Sequence, residues 1–180
     1  MKITKIEIEN FRLLKNFSMD LEKELSLIIG KNNTGKTSIL SVLDKFLNEK
    51  TKFTYDDFNI DFKDDFEKAI NEPDIPKEFP NIGVKLKIFI EYDENDDLSN
   101  VSRVLMDLDP ENNNIVLGFE YTIKYDDFLK LRADYTAFAA SEKAKLESGK
   151  KNTARELKEF LKQRLDNYFK TQKKSFEYDK

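Results

Sequence analysis

The 180-residue chain contains no cysteine and no histidine, and it has only five glycines. The absence of cysteine excludes disulfides and thiolate metal sites, and a reducing cytoplasm is the expected compartment. The absence of histidine excludes histidine-based triads, histidine metal centres and histidine acid–base chemistry. No apolar run reaches the roughly 18 residues of a membrane span, and the N-terminus lacks the apolar core of a signal peptide. We therefore expect no membrane association.

Charge is abundant but unevenly placed. Charged residues make up 37% of the chain and apolar residues 39%, which indicates a soluble domain long enough to bury a core. The net charge of −4 combines an acidic stretch over residues 54–127 with a basic stretch over residues 141–175. The acidic stretch would repel nucleic acid, whereas the basic stretch could attract it. A solvated, lysine-rich helix face is the other explanation for the basic stretch.

Residues 30–37, Gly-Lys-Asn-Asn-Thr-Gly-Lys-Thr, fit the phosphate-binding loop pattern G-x-x-x-x-G-K-[ST]. The pattern fixes few positions, and a glycine turn that happens to contain Lys-Thr is the alternative. Residues 25–29 form a short apolar run that predicts a buried strand leading into the loop. Helical spacing of apolar residues predicts a helix over residues 36–48. Strand, loop and helix thus follow in the order that a phosphate-binding loop requires.

The residue types of this loop suit a nucleoside triphosphate with Mg²⁺. Gly30 and Gly35 are expected to adopt backbone angles that a side chain forbids, so that N–H groups and the helix N-terminus face a phosphate. Lys36 would place its charge against the β- and γ-phosphates, and Thr37 would offer its hydroxyl to Mg²⁺. The loop does not select the base, so a preference for ATP over GTP must arise elsewhere.

The rest of the chain shows strand and helix patterns. Period-two alternation predicts strands over residues 2–9, 16–22, 82–92 and 115–125. The last two strands should pair antiparallel, with a short helix around residues 98–108 and a turn at residues 109–114 between them. Pro73, Pro76 and Pro80 should interrupt regular structure. Further helices are predicted over residues 65–71, from residue 126 onwards, and for at least four turns between residues 154 and 169.

The expected fold class is α/β with α+β character: a P-loop NTPase lobe with an added antiparallel β-subdomain and C-terminal helices. Residues 1–140 would form the first lobe of an ATPase, and residues 141–180 a basic amphipathic helical segment. Three interpretations of that segment stay open, namely a packed helix of the same domain, the start of a coiled-coil or helical arm, and a surface that contacts nucleic acid.

Candidate catalytic carboxylates are few. Asp56 and Asp57 follow the predicted helix and could reach Mg²⁺ or the attacking water, or could serve as loop and capping groups. Residues 88–94 look like the apolar run ending in Asp-Glu that holds Mg²⁺ in P-loop ATPases, but their alternation continues back to Ile82 and indicates a two-faced antiparallel strand. The five glycines are too few and too scattered for an ABC-type signature. The chain therefore looks like the first half of an ATPase.

The beginning of the chain resembles the SMC/RecF-like branch of ABC-type ATPases, in which a strand ending in Asn10-Phe11-Arg12 and a second strand precede the loop. Within that branch, residues 30–40 are most similar to the OLD (overcoming lysogenisation defect) family of ATP-dependent nucleases. The resemblance implies a two-lobed head whose second lobe brings the signature and the Mg²⁺ carboxylates. It also implies that two heads sandwich two ATP molecules, and that a C-terminal Toprim nuclease domain cuts DNA.

The resemblance implies the ligands as well. Arg12 would lie near the nucleotide phosphates, unless it is a surface arginine at a strand end. The expected cofactors are ATP and Mg²⁺, with Lys36 as the catalytic residue and Thr37 as the metal ligand. The nucleotide would contact the loop through Gly30, Asn32, Asn33, Thr34, Gly35, Lys36, Thr37 and Ser38.

The expected function is Mg-ATP binding by the N-terminal lobe of an OLD-like ATPase and endonuclease that acts on DNA, in DNA processing or anti-phage defence. A second lobe and homodimerisation would complete hydrolysis, and this chain alone should bind without appreciable turnover. The alternatives are half of an SMC/RecF-like DNA-repair head, a module that uses ATP only for association, and a small P-loop kinase or GTPase.

Overall fold

The computed structural model describes residues 1–31, 34–48, 50–72, 82–97, 99, 113–147 and 157–176. The strands are β1 (Lys2–Phe11), β2 (Leu14–Asp20), β3 (Ile82–Glu91), β4 (Asn114–Ile123) and β5 (Phe169–Phe176). The helices are α1 (Lys36–Leu47), α2 (Ile60–Asn71), α3 (Tyr125–Glu147), α4 (Leu157–Leu161) and α5 (Leu165–Tyr168), with a 3-10 helix at Tyr55–Asp57. No helix among these residues is long and apolar enough to cross a membrane.

The strands form one antiparallel sheet in the order β2-β1-β3-β4-β5. The predicted pairing of β3 with β4 is confirmed, in a register that runs from Ile82 opposite Ile123 to Glu91 opposite Asn114. β1 pairs with both β2 and β3. The expected mixture of helices and strands is therefore confirmed, and all described strands, including the N-terminal pair, belong to one continuous antiparallel sheet.

The core lies between one face of this sheet and the helices. Ile8, Leu86 and Phe119 form a row across β1, β3 and β4, and each is at most 7% exposed. An aromatic cluster covers this face, in which the Phe58 ring lies 5.0 Å from that of Phe62 and 5.1 Å from that of Phe169. Burying one such side chain stabilises the fold by about 1.5–3 kcal/mol. This cluster anchors the segment after α1 and the C-terminal residues to the sheet.

The single helix predicted between residues 154 and 169 is wrong. The structure has α4, a turn, α5 and then β5, which begins at Phe169 and pairs with β4. Leu157, Leu161 and Leu165 produce the helical spacing, and all three are buried. Pairing with β4 satisfies backbone groups at the edge of the sheet that a continued helix would leave open. The proposed division at residue 140 falls within α3 and stays a prediction.

The run at residues 25–29 is not a buried strand. Leu25, Leu27 and Ile29 are 78%, 75% and 82% exposed, and no described strand lies beside them. A short run that is apolar on both faces suits a parallel strand covered on both sides. The described part of the chain forms only an antiparallel sheet, so it provides no such neighbour.

Helix α2 begins earlier than the predicted residue 65. The Asn59 side chain accepts a hydrogen bond from the N–H of Asp61 and caps the helix at Ile60. Three predicted features lie outside the described residues: the helix over residues 98–108, most of the turn at residues 109–114, and the prolines Pro73, Pro76 and Pro80.

Candidate phosphate-binding site

Helix α1 begins directly after Gly35, as the loop motif requires. Gly35 has φ 89° and ψ 2°, in the left-handed region, and its carbonyl oxygen accepts hydrogen bonds from the N–H groups of Ser38 and Ile39. A Cβ atom at this position would lie 2.9 Å from Cδ2 of Leu14. Glycine is needed here for its left-handed conformation, and a larger residue would also have to displace the end of the Leu14 side chain. No side chain caps this helix, so its N-terminus is available to an anion.

Gly30 does not adopt the special backbone angle that was predicted for it. Its φ lies outside the left-handed region, so it needs no special backbone angle. A Cβ atom there would instead lie 3.0 Å from the hydroxyl oxygen of Thr34. That hydroxyl donates to the carbonyl oxygen of Lys31 at 2.9 Å and helps to close the loop. Glycine at position 30 therefore provides room for a tight loop.

The Lys36 side chain folds back over the loop. Its ammonium group donates hydrogen bonds to the carbonyl oxygens of Gly30 and Lys31, the latter at 2.5 Å, and lies 3.5 Å from the Thr34 hydroxyl. These partners are neutral oxygens, and none of the ion pairs formed by the described residues includes Lys36. The loop therefore holds a positive charge that a carboxylate does not neutralise.

The remaining motif residues occupy different environments. Thr37 lies in the first turn of α1 with an exposed side chain, whereas Ser38 is only 7% exposed and packs into the core. Asn32 and Asn33 lie outside the described residues. The structure thus brings Gly30, Thr34 and Lys36 into contact and leaves Thr37 accessible at the helix N-terminus.

The Arg12 guanidinium binds Asp57. Its Nε and one terminal nitrogen donate to the same carboxylate oxygen, at 3.1 and 2.8 Å. The other oxygen of Asp57 accepts from the Lys45 ammonium at 2.9 Å and from the Thr54 N–H and hydroxyl. Burial opposes ionisation of this carboxylate, but the hydrogen bonds from Lys45, Arg12 and Thr54 prevail and hold its pKa below the usual value.

Neither of the two candidate carboxylates, Asp56 and Asp57, is unpaired. Asp57 is 2% exposed and committed to two cations, while the exposed Asp56 pairs with Lys158 at 2.6 Å. Asp57 also closes a capping box with Thr54, so the alternative of a capping role describes it correctly. No pattern in the sequence indicated that Lys45 would bind this carboxylate. The Thr-x-x-Asp spacing of residues 54–57 is the one signal that could have indicated an ordered turn here.

The β1–β2 turn, which follows Arg12, packs against the loop at Gly35. Leu13 and Leu14 follow Arg12 in the chain. The Leu14 side chain is so close to Gly35 that a Cβ atom there would lie 2.9 Å from its Cδ2. By contrast, a cleft of about 470 Å³ that is lined by Lys45, Lys52 and Tyr121 lies at the opposite end of α1. Lys45 is roughly 14 Å from Lys36 along the helix axis, at about 1.5 Å per residue. That cleft is therefore separate from the phosphate loop.

Comparison with known proteins agrees with these features. The sequence matches the profile of a family described as "AAA ATPase domain" over residues 1–180. Among curated proteins, endonuclease GajA of Bacillus cereus (strain HuB5-5) is 34% identical to it over 125 residues. That similarity covers 62% of this chain and 18% of GajA, so the chain spans less than a fifth of the length of this relative.

One solved structure is also similar, from work entitled "Structural biochemistry of ATP-driven dimerization and DNA stimulated activation of SMC ATPases". The alignment covers 68% of this chain and 64% of the other at 16% identity, with a TM-score of 0.39.

Proposed function

Since this chain belongs to the AAA ATPase domain family, we propose that it binds ATP together with Mg²⁺ at the loop of residues 30–38. The observation that carries the proposal is the Lys36 ammonium, which lies over the loop on neutral carbonyl oxygens beside an uncapped helix N-terminus. An ammonium and a set of backbone N–H groups in this arrangement suit the terminal phosphates of a nucleotide. The family assignment agrees with the expected resemblance to an OLD-type, SMC/RecF-like ATPase lobe.

Individual residues have distinct proposed roles. Lys36 would exchange its carbonyl contacts for the β- and γ-phosphates, and the exposed Thr37 hydroxyl would ligate Mg²⁺. A bound Mg²⁺ would neutralise part of the negative charge of the phosphates. Gly30, Thr34 and Gly35 shape the loop, while Asn32, Asn33 and Ser38 stay proposed contacts from the motif. Arg12 is proposed to reach the same phosphates from the β1–β2 turn.

Hydrolysis and DNA processing are proposed for the complete protein. The exposed apolar run at residues 25–29 supports a second lobe, because it has the character of a buried strand but no strand beside it in the described fold. We propose that this lobe completes the sheet, and that dimerisation brings the groups that stabilise the transition state. The similarity to endonuclease GajA supports DNA as the substrate of the whole protein, in which this chain would be the N-terminal ATPase lobe.

Calorimetric titration tests the proposal most directly. The chain is titrated with a non-hydrolysable ATP analogue and Mg²⁺, alongside the variants Lys36→Ala and Lys50→Ala. Lys50 is exposed and lies outside the loop, so its removal matches the change of charge without touching the site. We expect binding by the native chain and by Lys50→Ala, and a loss of about 100-fold or more in Lys36→Ala.

Two results would contradict this function. Equal binding by the native chain and Lys36→Ala would place the nucleotide elsewhere, and no binding by a protein that also carries a second lobe would exclude the site. Phosphate release, measured in parallel, tests whether hydrolysis needs the second lobe. We expect no appreciable turnover by the 180-residue chain, so robust hydrolysis would show that it needs no further lobe.

A further inference from the structure

The backbone of Arg12 is held in an uncommon conformation. Asn10 and Arg12 have φ values of 60° and 49°, in the left-handed region that side chains disfavour. The N–H of Arg12 donates to the carbonyl oxygen of Asp57 at 2.8 Å, and its own carbonyl oxygen accepts from the Asn59 side chain at 2.6 Å. The N–H of Asn59 donates to the carbonyl oxygen of Asn10 at 2.9 Å. Residues 57–59 thus hold the main chain of this turn through two backbone hydrogen bonds and one from the Asn59 side chain.

The Arg12 side chain is held by the same segment. Both of its hydrogen bonds to Asp57 use one edge of the guanidinium, which has five N–H donors in all. The Asp57 carboxylate is 3% exposed, whereas the Arg12 side chain is 38% exposed. Lys45 is the second cation on this carboxylate, so the trio carries a net positive charge. The arrangement therefore orients a cation without neutralising the cluster.

We infer that Asp57 is a positioning residue, which fixes the Arg12 guanidinium next to the turn that packs against the phosphate loop, so that its remaining N–H groups meet the terminal phosphates of the nucleotide. This inference rests on the proposed function and gives Asp57 a role apart from Mg²⁺ or water. The contact between Leu14 and the Gly35 position joins the Arg12 turn to the loop. A guanidinium that is already immobilised loses little side-chain entropy when a ligand binds.

Two alternative roles for Asp57 make different predictions. A purely structural carboxylate would support the fold and affect all nucleotides alike. A competing carboxylate would keep Arg12 away from the phosphates, and its removal would tighten binding. A positioning carboxylate acts only through Arg12 and only on ligands with terminal phosphates. The ratio of the affinities for a triphosphate and a monophosphate therefore distinguishes the three roles.

The experiment measures the affinity of the full chain for a non-hydrolysable ATP analogue and for AMP, both with Mg²⁺. The variants are Asp57→Asn, Arg12→Ala and the double variant, and Asp56→Asn is the matched control. Asp56 is adjacent and acidic, but its side chain is 67% exposed and pairs with Lys158 at the surface. We expect Asp57→Asn to weaken binding of the ATP analogue by about tenfold and AMP by much less. The double variant should be no weaker than Arg12→Ala, and Asp56→Asn should be unchanged.

Several outcomes overturn the inference. These are tighter binding by Asp57→Asn, equal losses for the two ligands, and losses that add in the double variant. If Asp57→Asn fails to fold, Asn59→Ala provides a second variant. It removes the side-chain amide that donates to the Arg12 carbonyl oxygen and leaves every charge in place. Unchanged selectivity for the triphosphate over the monophosphate in this variant would then count against the inference. Lys36→Ala separates this question from the proposed function. If it loses binding while Asp57→Asn binds normally, the site stands and only the role of Asp57 is wrong.

Discussion

The Lys36 ammonium donates a hydrogen bond to the carbonyl oxygen of Lys31 across 2.5 Å. It has a similar contact with the carbonyl oxygen of Gly30, so the lysine is held by the loop that it crosses. Neutral oxygens orient an ammonium without cancelling its charge, and they release it at lower cost than a carboxylate would. The loop therefore combines an ordered lysine with an attraction for anions.

Gly35→Ala should destabilise the chain by about 1–3 kcal/mol, because alanine must adopt a left-handed conformation and its Cβ crowds Leu14. Gly30→Ala is the matched control, since its backbone angle is ordinary and only the Thr34 hydroxyl must move. Urea denaturation, monitored by circular dichroism, measures the free energy of unfolding of both variants. Equal losses in the two variants would show that the left-handed conformation of Gly35 is unimportant.

Asp57→Asn should lower the free energy of unfolding by about 2–3 kcal/mol at pH 7, because Arg12 and Lys45 lose their shared buried carboxylate. The pKa of Asp57 in the folded protein lies below its ordinary value of 3.8. The stabilisation is therefore present above pH 3.8 and is lost as the pH falls through the lower folded-state pKa.

Unfolding curves between pH 7 and pH 2.5 check this dependence, and the difference between the native chain and Asp57→Asn should shrink at the acidic end. Asp56→Asn should stay within about 0.5 kcal/mol of the native chain, because its ion pair with Lys158 is exposed. A difference for Asp57→Asn that is constant over the whole range would mean that its ionised form does not stabilise the fold.

Ile29→Ser should change the stability of the 180-residue chain by less than about 0.5 kcal/mol, because the Ile29 side chain is 82% exposed. Ile8→Ser, at a fully buried position of β1, should cost several kcal/mol and serves as the contrast. Thermal and urea unfolding measure both variants. A large loss for Ile29→Ser would show that residues 25–29 are buried, as the sequence analysis had predicted.

Phe169→Ala should destabilise the chain by about 3–5 kcal/mol, because the Phe169 ring is 1% exposed and packs against Phe58 and Tyr121. Leu40→Ala on α1 is the control, since Leu40 is 68% exposed and its truncation should cost little. Urea denaturation decides between the two descriptions of the C-terminal residues. A harmless Phe169→Ala would support a separate helical arm over a strand that completes the sheet.

Local patterns identified those features whose cause is local. Residues 82–92 alternate because one face of β3 packs on the core, and the same alternation in β4 made their antiparallel pairing predictable. Gly35 and Lys36 were recognisable because both belong to the loop motif, and Gly35 has the left-handed backbone that the turn into the helix needs. The AAA ATPase family assignment agrees with that local reading.

Long-range contacts decided what the patterns left open. Residues 25–29 are apolar enough for a buried strand, but a strand also needs a neighbour, and the described sheet provides none. Asp57 was one acid among many in the acidic stretch, and only the approach of Arg12 and Lys45 made it a buried ion-pair centre. A sequence pattern does not contain these distances, because the partners are far apart in the chain.

The sequence by itself determined the phosphate loop, the helix after it and the alternating strands, since each follows from the conformational limits and periodicity of neighbouring residues. Only the tertiary structure decided that β1 lies beside β3, that Phe169 begins a strand instead of extending a helix, and that Arg12 is held by Asp57. The reason is that burial and ion pairing depend on which surfaces meet. The packing of the whole chain determines which surfaces are in contact.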